Sequence, residues 1–364
     1  MSPLLRNVGS KLLLMTQQPE LQGGAFFAVT VVLVIAYWQT LAGSWTGGFV
    51  VFLFGVAFTK RIAMGKGIPA AAEKRDMSGL QCIVTGANTG IGKQTALQLA
   101  QWGANVTIAC RDIGKGKEAA EAILAVAKEA KVDVMPLDLS SFASIKAFAA
   151  LWKARPSTEI SVLINNAGVM MCPFGLTSDG IEMQFGTNHV GHYLLTKLLL
   201  PFLADDGRVI NLSSEGHMLA PFHIKWDRVS DPTTYNASRA YGISKLANIY
   251  FTRELQKRMP ELRPGSQITC YSVHPGVVRT ELIRHVNSYL AKNWNDPISW
   301  LFMKSAMRGA QTSLYCAVAP LKDLEPGQYY WDCQSGSTTI QGRDMEEARL
   351  LWDETEALIH PKSV

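Results

Sequence analysis

The sequence predicts an α/β fold in which one doubly wound parallel sheet of about seven strands follows an N-terminal membrane-anchoring helical segment. Three observations lead to this prediction. From residue 81 onward, short apolar runs alternate with longer helical patterns, as expected for a parallel sheet covered by helices on both faces. A glycine-rich turn directly follows the first predicted strand, and two uncharged apolar runs precede that strand.

The composition is that of a folded chain without a nucleic-acid partner. The 364 residues are 48% hydrophobic and 18% charged, which is enough to bury a full core. The net charge of +5 is modest, and Lys and Arg are scattered beside Asp and Glu rather than grouped in basic blocks. The six cysteines lie far apart without a C-x-x-C pair, so we expect reduced thiols in a cytosolic environment and no metal site.

Two apolar runs at the N-terminus predict a membrane anchor. Residues 25–38 are apolar except for Thr30, and residues 49–58 are apolar except for Gly55. Extended to residue 43, the first run is just long enough to cross a hydrocarbon core of about 30 Å, whereas the second run alone is short. Positive residues on both sides suit a helical hairpin with both ends in the cytosol, or one span with an interfacial segment. Two buried core helices and a cleaved targeting segment are the alternatives.

These patterns divide the chain into four regions. We expect the anchor at residues 1–62, a linker at 63–79, the α/β domain at 80–340 and a helical tail at 341–364. The predicted strands are residues 81–85, 105–110, 132–137, 161–165, 208–212, 267–273 and 328–331. The clearest predicted helices are residues 90–102, 113–130, 141–153, 182–203 and 240–259.

The turn after the first predicted strand has the pattern of a dinucleotide-binding site. Residues 85–92 read Thr-Gly-Ala-Asn-Thr-Gly-Ile-Gly and lead into a predicted helix. Strand, tight turn and helix N-terminus together place backbone N–H groups and the positive end of the helix dipole against a pyrophosphate. A glycine turn without a ligand is the simpler alternative. The expected cofactor-binding residues of this turn are Gly86, Asn88, Thr89, Gly90, Ile91 and Gly92.

The end of the second predicted strand indicates which dinucleotide binds. An acidic residue there would bind a free adenosine ribose, but Arg111 favours a 2′-phosphate and Lys93 can add a second positive charge. These residues predict NADP(H) rather than NAD(H), although Asp112 could instead pair with Arg111. After the third strand, Asp138 and Leu139 are placed to contact adenine, although Asp138 could also be an ordinary helix N-cap.

Further motifs follow the later strands in a fixed order. They are Asn165-Asn166-Ala167-Gly168, Ser213-Ser214, Tyr241-Gly-Ile-Ser-Lys245 and His274-Pro275-Gly276. Together with the glycine turn, they resemble the short-chain dehydrogenase/reductase family over about residues 81–331, which implies a Rossmann-like fold. The finer resemblance is to the membrane-bound retinol dehydrogenase branch, through residues 109–112, 166–170, 188–192 and 244–248. Residues 300–304 and 327–330 also look like the related dehydrogenase/reductase X-type proteins.

The resemblance implies an oxidoreductase and assigns a role to each motif. It implies that Lys245 holds the nicotinamide ribose and that Ser214, rather than Ser213, binds the substrate oxygen. It also implies that Asn188 holds a water that relays protons to Lys245. The further cofactor-binding residues that we expect are Asn165, Ala167, Gly168, Tyr241, Lys245, Pro275, Gly276, Val278 and Thr280.

The pair Tyr241 and Lys245 also suits proton transfer to a reduced carbonyl oxygen, independently of the resemblance. Hydride transfer to a carbonyl leaves an alkoxide that must gain a proton. A tyrosine with a pKa of about 10 exchanges protons poorly at neutral pH, and a lysine one helical turn later should favour the phenolate and lower that pKa. The alternatives are a core tyrosine with a solvated lysine, a strand-terminal Ser214 and an ordinary buried Asn188 amide.

Residues 281–307 are rich in apolar and aromatic side chains, and we expect them to form a substrate lid. A lid of this composition beside a membrane anchor predicts a lipophilic substrate such as retinol or retinal, with polyprenals and steroids as alternatives. Because the cytosol usually keeps the NADP(H) pool reduced, this cofactor favours reduction of the carbonyl compound over oxidation of the alcohol. A plain core segment or a dimer contact is the other interpretation of these residues.

The remaining expectations concern location and partners. We expect the endoplasmic reticulum membrane, with the catalytic domain facing the cytosol, and a lipid bilayer as partner. The apolar helices at 182–203 and 240–259 could pair in a homodimer, whereas a membrane anchor could favour a monomer. A functional alternative is a catalytically idle NADP(H)-binding subunit of a membrane assembly.

Overall fold

A computed structural model describes residues 55–57, 59–61, 63–69, 76–282 and 301–360. The chain forms two compact units, Met1–Ala63 and Met64–Val364. Most of the predicted anchor, and residues 283–300 of the predicted lid, lie outside the described residues. Within the described part of the chain, no helix combines the length and the apolar character needed to cross a membrane.

The larger unit is built on an eight-stranded sheet with the order β3-β2-β1-β4-β5-β6-β7-β8. The strands are β1 Gln81–Thr85, β2 Asn105–Cys110, β3 Lys131–Pro136, β4 Ile160–Asn165, β5 Leu203–Leu212, β6 Thr269–His274, β7 Tyr329–Trp331 and β8 Gln334–Ser335. All neighbouring pairs are parallel except β7 and β8. The order reverses between β1 and β4, which is where open α/β sheets bind ligands. The predicted doubly wound sheet is confirmed, and the two-residue β8 is an addition to it.

Helices cover both faces of the sheet. They are α1 Gly90–Gln101, α2 Ile113–Val126, α3 Phe142–Lys153, α4 Met183–Phe185, α5 Gly191–Leu199, α6 Ala237–Leu262, α7 Ala306–Val318 and α8 Met345–Ile359. The apolar side chains of α3, α5, α6 and α8 form one core layer against the sheet. Those of α1, α2 and α7 form the second layer on the other face.

The helix predicted at residues 182–203 is wrong as a single element. The structure breaks it into α4, a π-helical turn Gly186–Val190 and α5, followed by a 3₁₀ turn Leu200–Phe202 and the early start of β5. Glycine begins the π-turn and begins α5, and a Cβ at Gly191 would lie 2.3 Å from Leu139 O. A local helical pattern does not reveal this close approach, because the two residues come from different elements.

Helix α8 covers the outer face of α5 and α6, the helices considered above for pairing between two copies. Trp352 packs edge-on against Tyr193 with 4.9 Å between ring centroids, and Tyr193 OH donates to Glu356. Lys197 forms an ion pair with the same carboxylate. In this chain the predicted C-terminal tail therefore contributes a helix to the core.

Candidate active site

A cavity of about 760 Å³ lies at the carboxyl ends of the strands, around the position where the strand order reverses. Its size is within the usual range of ligand pockets, which is roughly 300–1,000 Å³. The cofactor residues expected from the sequence that line it are Gly86, Asn88, Thr89, Gly90, Ile91, Gly92, Arg111, Asp138, Leu139, Ala167, Gly168, Pro275, Gly276, Val278 and Thr280. Tyr241, Lys245 and Ser214 line it as well.

The turn between β1 and α1 is shaped for a phosphate group. Gly86 and Gly90 have φ values of 64° and 57°, which residues other than glycine rarely adopt. A Cβ at Gly86 would also lie 2.9 Å from the Ala167 Cα, so the turn needs glycine for space as well as for conformation. The Thr89 side chain does not cap α1, and the first turn of α1 carries no acidic residue. The N–H groups of that turn therefore suit a pyrophosphate.

The residues around the expected ribose phosphate differ in part from the prediction. Arg111 is exposed and lines the cavity, but Lys93 is not among the lining residues. The Lys93 backbone N–H donates to Thr89 O over 3.2 Å. This is the first hydrogen bond within α1, so the helix already uses that N–H. Lys115 lines the cavity beside Arg111 and was missed. Asp112 accepts from the Lys115 backbone N–H over 3.0 Å as the N-cap of α2, which leaves both cations facing the cavity.

Asn165 does not line the cavity, in contrast to the prediction. It is buried at the end of β4, and its Nδ2 donates to Thr196 Oγ1 over 2.9 Å and to Asn211 Oδ1 over 2.7 Å. These bonds join the sheet to α5. The motif position is therefore used for packing, while its neighbours Ala167 and Gly168 reach the cavity.

Asp138 and Leu139 line the cavity after β3. Ser141, rather than Asp138, caps α3, because its side chain accepts from the Ser144 N–H. The Asp138 carboxylate instead accepts from the backbone and the hydroxyl of Ser140, over 2.9 and 2.7 Å. The N-cap alternative for Asp138 is therefore wrong.

Tyr241 and Lys245 stand one turn apart near the start of α6, with 5% and 4% of their surfaces exposed. The side chain of Asn236 caps this helix by accepting from the Arg239 N–H over 3.0 Å. The Lys245 Nζ lies 5.7 Å from the centroid of the Tyr241 ring and donates to Leu212 O over 3.1 Å. Ser214 forms a hydrogen bond with the Tyr241 side chain. Helix α6 therefore fixes both groups beside the end of β5.

The acid strength of the pair does not follow the prediction. Burial raises the pKa of Tyr241 to about 12, and the hydrogen bond with Ser214 opposes this change. Burial also lowers the pKa of Lys245 to about 8. The expected decrease in the Tyr241 pKa is absent because the loss of hydration outweighs the Ser214 hydrogen bond, and the Lys245 ammonium group donates to Leu212 O instead. At neutral pH the resting forms are thus a neutral phenol and a lysine ammonium that loses its proton more readily than an ordinary lysine.

Asn188 lies behind the cavity wall rather than in it. It is fully buried in the π-turn, where its Nδ2 donates to Val169 O and to Ser244 Oγ, both over 2.9 Å. Its Oδ1 accepts from the Val169 N–H over 2.8 Å. A Cβ at Gly168 would lie 3.1 Å from this Oδ1 and 3.6 Å from Lys245 Nζ, so Asn188 and Lys245 approach the same point. The two side chains therefore lie close together on the same side of Gly168.

Several apolar residues of the cavity wall were not predicted. Met170 and Met171 line it after β4, and Leu219 and Val277 line it after β5 and β6. Met171 has a φ of 50°, and its N–H donates to the buried Gln184 side chain over 2.7 Å. Single apolar residues in loops carry no periodic signal, so only the fold could place them.

The described ends of the predicted lid join the site to the sheet. Glu281 and Leu282 line the cavity. Lys304 forms a β-bridge with Val278 and an ion pair with Asp332. A Cβ at Gly276 would lie 2.7 Å from the Lys304 side chain. The described C-terminal end of the predicted lid therefore supports the loop that carries Pro275 and Gly276.

Known proteins resemble this chain in sequence and in fold. Residues 81–225 match the family model for short chain dehydrogenases. The chain is 44% identical to mouse retinol dehydrogenase 11 over 307 residues, which cover 84% of this chain and 93% of that protein. It is 48% identical to mouse retinol dehydrogenase 12 over 276 residues, covering 74% and 83% of the two chains. A crystal structure of a protein from Mycobacterium Paratuberculosis, 34% identical, aligns with a TM-score of 0.64 and covers 80% of this chain and 98% of that one.

The matched segments cover most of the length of both retinol dehydrogenases and almost all of the crystallised protein. The chain belongs to the short-chain dehydrogenase/reductase family, is similar to retinol dehydrogenases, and is an oxidoreductase that acts on CH–OH groups.

Proposed function

We propose that this protein is a membrane-associated, NADP(H)-dependent oxidoreductase that interconverts a lipophilic, retinol-like alcohol and its carbonyl compound, working mainly as a carbonyl reductase. The observation that carries the proposal is one cavity that combines the buried Tyr241 and Lys245 with two exposed cations, Arg111 and Lys115, at its far end.

The preference for NADP(H) is supported by the charges after β2. Arg111 and Lys115 line the cavity together with Asp112, whose carboxylate accepts from the Lys115 N–H and caps α2. A 2′-phosphate adds negative charge where these cations lie, whereas a free ribose diol does not. The glycine turn and the first turn of α1 would hold the pyrophosphate, and Lys245 would hold the nicotinamide ribose. When bound, the cofactor supplies or accepts the hydride.

The chain's own residues handle the oxygen and the proton. Ser214 and Tyr241, which hydrogen-bond each other, are suited to bind a carbonyl oxygen together. The neutral Tyr241 hydroxyl donates its proton as negative charge develops on that oxygen. The Lys245 ammonium then returns a proton to Tyr241, and Asn188, which lies close to Lys245, would hold the water that supplies a proton to Lys245. The lowered pKa of Lys245, about 8, suits this exchange at neutral pH.

A lipophilic substrate is supported by the wall and by the relatives. Met170, Met171, Leu219 and Val277 give the cavity a flexible, apolar side. Two similar proteins are named retinol dehydrogenases 11 and 12. A polyprenal or a steroid carbonyl would suit the same wall, so retinal is the first compound to test and these are the next. The intact set of Ser214, Tyr241 and Lys245 disfavours a catalytically idle subunit.

Membrane association is supported by the uncharged runs at residues 25–38 and 49–58. The flanking positive residues favour the cytosolic face of the endoplasmic reticulum membrane for the catalytic domain. A bilayer at that position would also deliver a lipophilic substrate. Extraction of membranes with carbonate tests this part, because a protein released into the supernatant would contradict it.

The test of the reaction uses the full chain purified in detergent. All-trans retinal, a long polyprenal, a ketosteroid and a short aliphatic aldehyde are each supplied with NADPH or NADH, and oxidation of the cofactor is followed at 340 nm. We expect retinal and NADPH to give the highest kcat/KM. Tyr241→Phe is the matched control, because it removes the hydroxyl and keeps the buried ring. Equal, background-level rates for wild type and Tyr241→Phe across the panel would contradict the proposal.

A further inference from the structure

We propose that His192 is a positioning residue that joins the cofactor turn at the end of β1 to Asn188, through one hydrogen bond at each of its ring nitrogens. The inference deepens the proposed function and rests on it for the roles of the cofactor turn and of Asn188. Nothing in the sequence motifs of the site assigned His192 to the reaction.

The ring of His192 lies between two segments of the site. The residue is 1% exposed and belongs to the first turn of α5. Its Nδ1 lies 3.0 Å from Asn188 O, and its Nε2 lies 2.9 Å from Thr85 Oγ1. Thr85 is the last residue of β1 and precedes Gly86 of the cofactor turn. One side chain therefore reaches both ends of the proposed link.

The partners determine where the proton of the ring resides. A carbonyl oxygen can only accept, so Nδ1 carries the hydrogen and donates to Asn188 O. The Nε2 of a neutral ring is then an acceptor, and the Thr85 hydroxyl donates to it. The other acceptor near this hydroxyl, Ile164 O, is 3.5 Å away, which makes it the weaker choice. Burial lowers the pKa of His192 to about 4, so the neutral ring is the form present at physiological pH.

Thr85 extends the link to the loop after β4. Its Oγ1 accepts from the backbone N–H groups of Asn166 and Ala167, both over 2.9 Å. The Asn166 side chain donates to Thr85 O over 2.7 Å, so this loop is held to β1 at three points. A hydroxyl that donates to His192 has its oxygen oriented to receive both N–H groups. The ring of His192 thus orients the Thr85 hydroxyl and, through it, the loop that carries Ala167 and Gly168.

The other end of the link fixes Asn188. Its side chain is held by Val169 and by Ser244, the neighbour of Lys245. His192 holds its backbone carbonyl, within the π-turn that interrupts the helix. Asn188 is therefore fixed from both its side chain and its backbone. A shift of about 1 Å in such a group can lower a rate about 100-fold, so this support matters for the proton relay.

The test compares three variants that remove different parts of the link. His192→Phe keeps a buried ring and removes both hydrogen bonds. His192→Asn keeps an N–H near the position of Nδ1, and His192→Gln keeps an acceptor near the position of Nε2. His189→Phe is the matched control, because His189 is equally buried in the π-turn but its Nε2 lies 3.1 Å from Thr355 Oγ1 on α8. Each variant is made in the full chain and checked for folding by circular dichroism.

Hydrogen exchange is measured first, because it does not depend on activity. We expect the amides of Asn166 and Ala167 to exchange faster in His192→Phe and His192→Asn, and to keep the wild-type rate in His192→Gln and His189→Phe. NADPH affinity should fall about 5-fold in the first two variants, the effect of one lost hydrogen bond. The kcat for retinal should fall about 10-fold to 100-fold in His192→Phe and His192→Gln, and much less in His192→Asn.

A second variant separates positioning from packing. In a Thr85→Val background the wild-type hydroxyl is gone, so His192→Gln should lose its advantage over His192→Phe in exchange and in NADPH affinity. Unchanged exchange at Asn166 and Ala167 in His192→Phe, or equal changes in His192→Phe and His189→Phe, would overturn the proposal. If the wild type reduced no carbonyl compound, the proposed function would fail, whereas exchange and NADPH binding would still decide the role of His192.

Discussion

Two pairs of glycines with positive φ, one pair at each edge of the sheet, have different surroundings. At the amino edge, Gly79 and Gly265 have φ values of 80° and 83°, and a Cβ at either position would meet nothing within 4 Å. At the carboxyl edge, Gly86 and Gly276 have φ values of 64° and 85°, but a Cβ would lie 2.9 Å from Ala167 and 2.7 Å from Lys304. The first pair only turns the chain. The second pair also lets separate segments approach each other, and that approach builds the site.

The polar groups compared at the two edges also differ in their burial and in their hydrogen bonding. The ion pairs Arg155–Asp133 and Arg263–Asp205 lie at the amino edge, with the carboxylates 57% and 85% exposed. Such pairs contribute at most about 1 kcal/mol each. At the carboxyl edge, Thr85, Asn188, His192 and Lys245 are buried and hydrogen-bonded. Burial of polar groups is unfavourable unless partners are provided, so these four side chains point to chemistry at the carboxyl edge rather than to stability.

The largest expected effect is at Tyr241. Tyr241→Phe should lower kcat for carbonyl reduction by about 1,000-fold, because it removes the proton donor and leaves the ring in place. The thermal midpoint should change little. Steady-state rates and a melting curve measure both. A variant with kcat within tenfold of wild type would show that the carboxyl edge does not use Tyr241 as its acid.

The next test exchanges glycine for alanine at each edge. Gly86→Ala should weaken NADPH binding about 100-fold, since the new methyl group meets the loop at Ala167 and the turn must shift. Gly265→Ala should leave NADPH affinity unchanged and lower stability by about 1–2 kcal/mol, the strain of a left-handed alanine. Fluorescence titration and denaturant unfolding measure the pair. Similar losses of affinity in the two variants would remove the contrast between the edges.

The charges after β2 predict a smaller effect that depends on the cofactor. Arg111→Ala and Lys115→Ala should each weaken NADPH about 10-fold and leave NADH unchanged, because only NADPH carries the 2′-phosphate. Lys93→Ala is the control and should affect neither cofactor, since Lys93 does not line the cavity. Dissociation constants for both cofactors measure this. A larger NADPH effect in Lys93→Ala than in Lys115→Ala would show that Lys93, and not Lys115, binds the 2′-phosphate with Arg111.

The smallest expected effect is a change with pH. Burial lowers the pKa of Lys245 to about 8, and only its protonated form can return a proton to Tyr241. The rate of carbonyl reduction should therefore be level below pH 8 and fall as pH rises through 8. Because the folded pKa lies below the unfolded value, this group favours unfolding below pH 8 and stops doing so as pH rises toward 10.5. Unfolding linked to Lys245 cannot produce the fall, and a melting curve at each pH checks this.

The sequence was a good guide wherever a signal lies within one element or at its end. The alternation of apolar runs predicted the parallel sheet. Three features were identified at the beginning or end of a strand or helix: the glycine turn, the spacing of Tyr241 and Lys245, and Ser214. These features depend on backbone geometry and on neighbours a few residues away. Lys93 and Asn165, which were predicted to bind the cofactor, do not line the cavity, and the direction of their side chains depends on packing against other elements.

By itself the sequence determined the family, the sheet with its site at the carboxyl edge, and the residue types needed for proton transfer. Only the tertiary structure showed that Lys115 lines the cavity beside Arg111 and that Asn188 lies in a π-turn. It also decided that burial shifts the pKa values of Tyr241 and Lys245, and that His192 contacts Thr85. The physical reason is distance along the chain. Thr85 and His192 are 107 residues apart in the sequence. Their hydrogen bond, like the loss of hydration at buried side chains, exists only after the sheet has brought distant residues together, so no local sequence pattern predicts it.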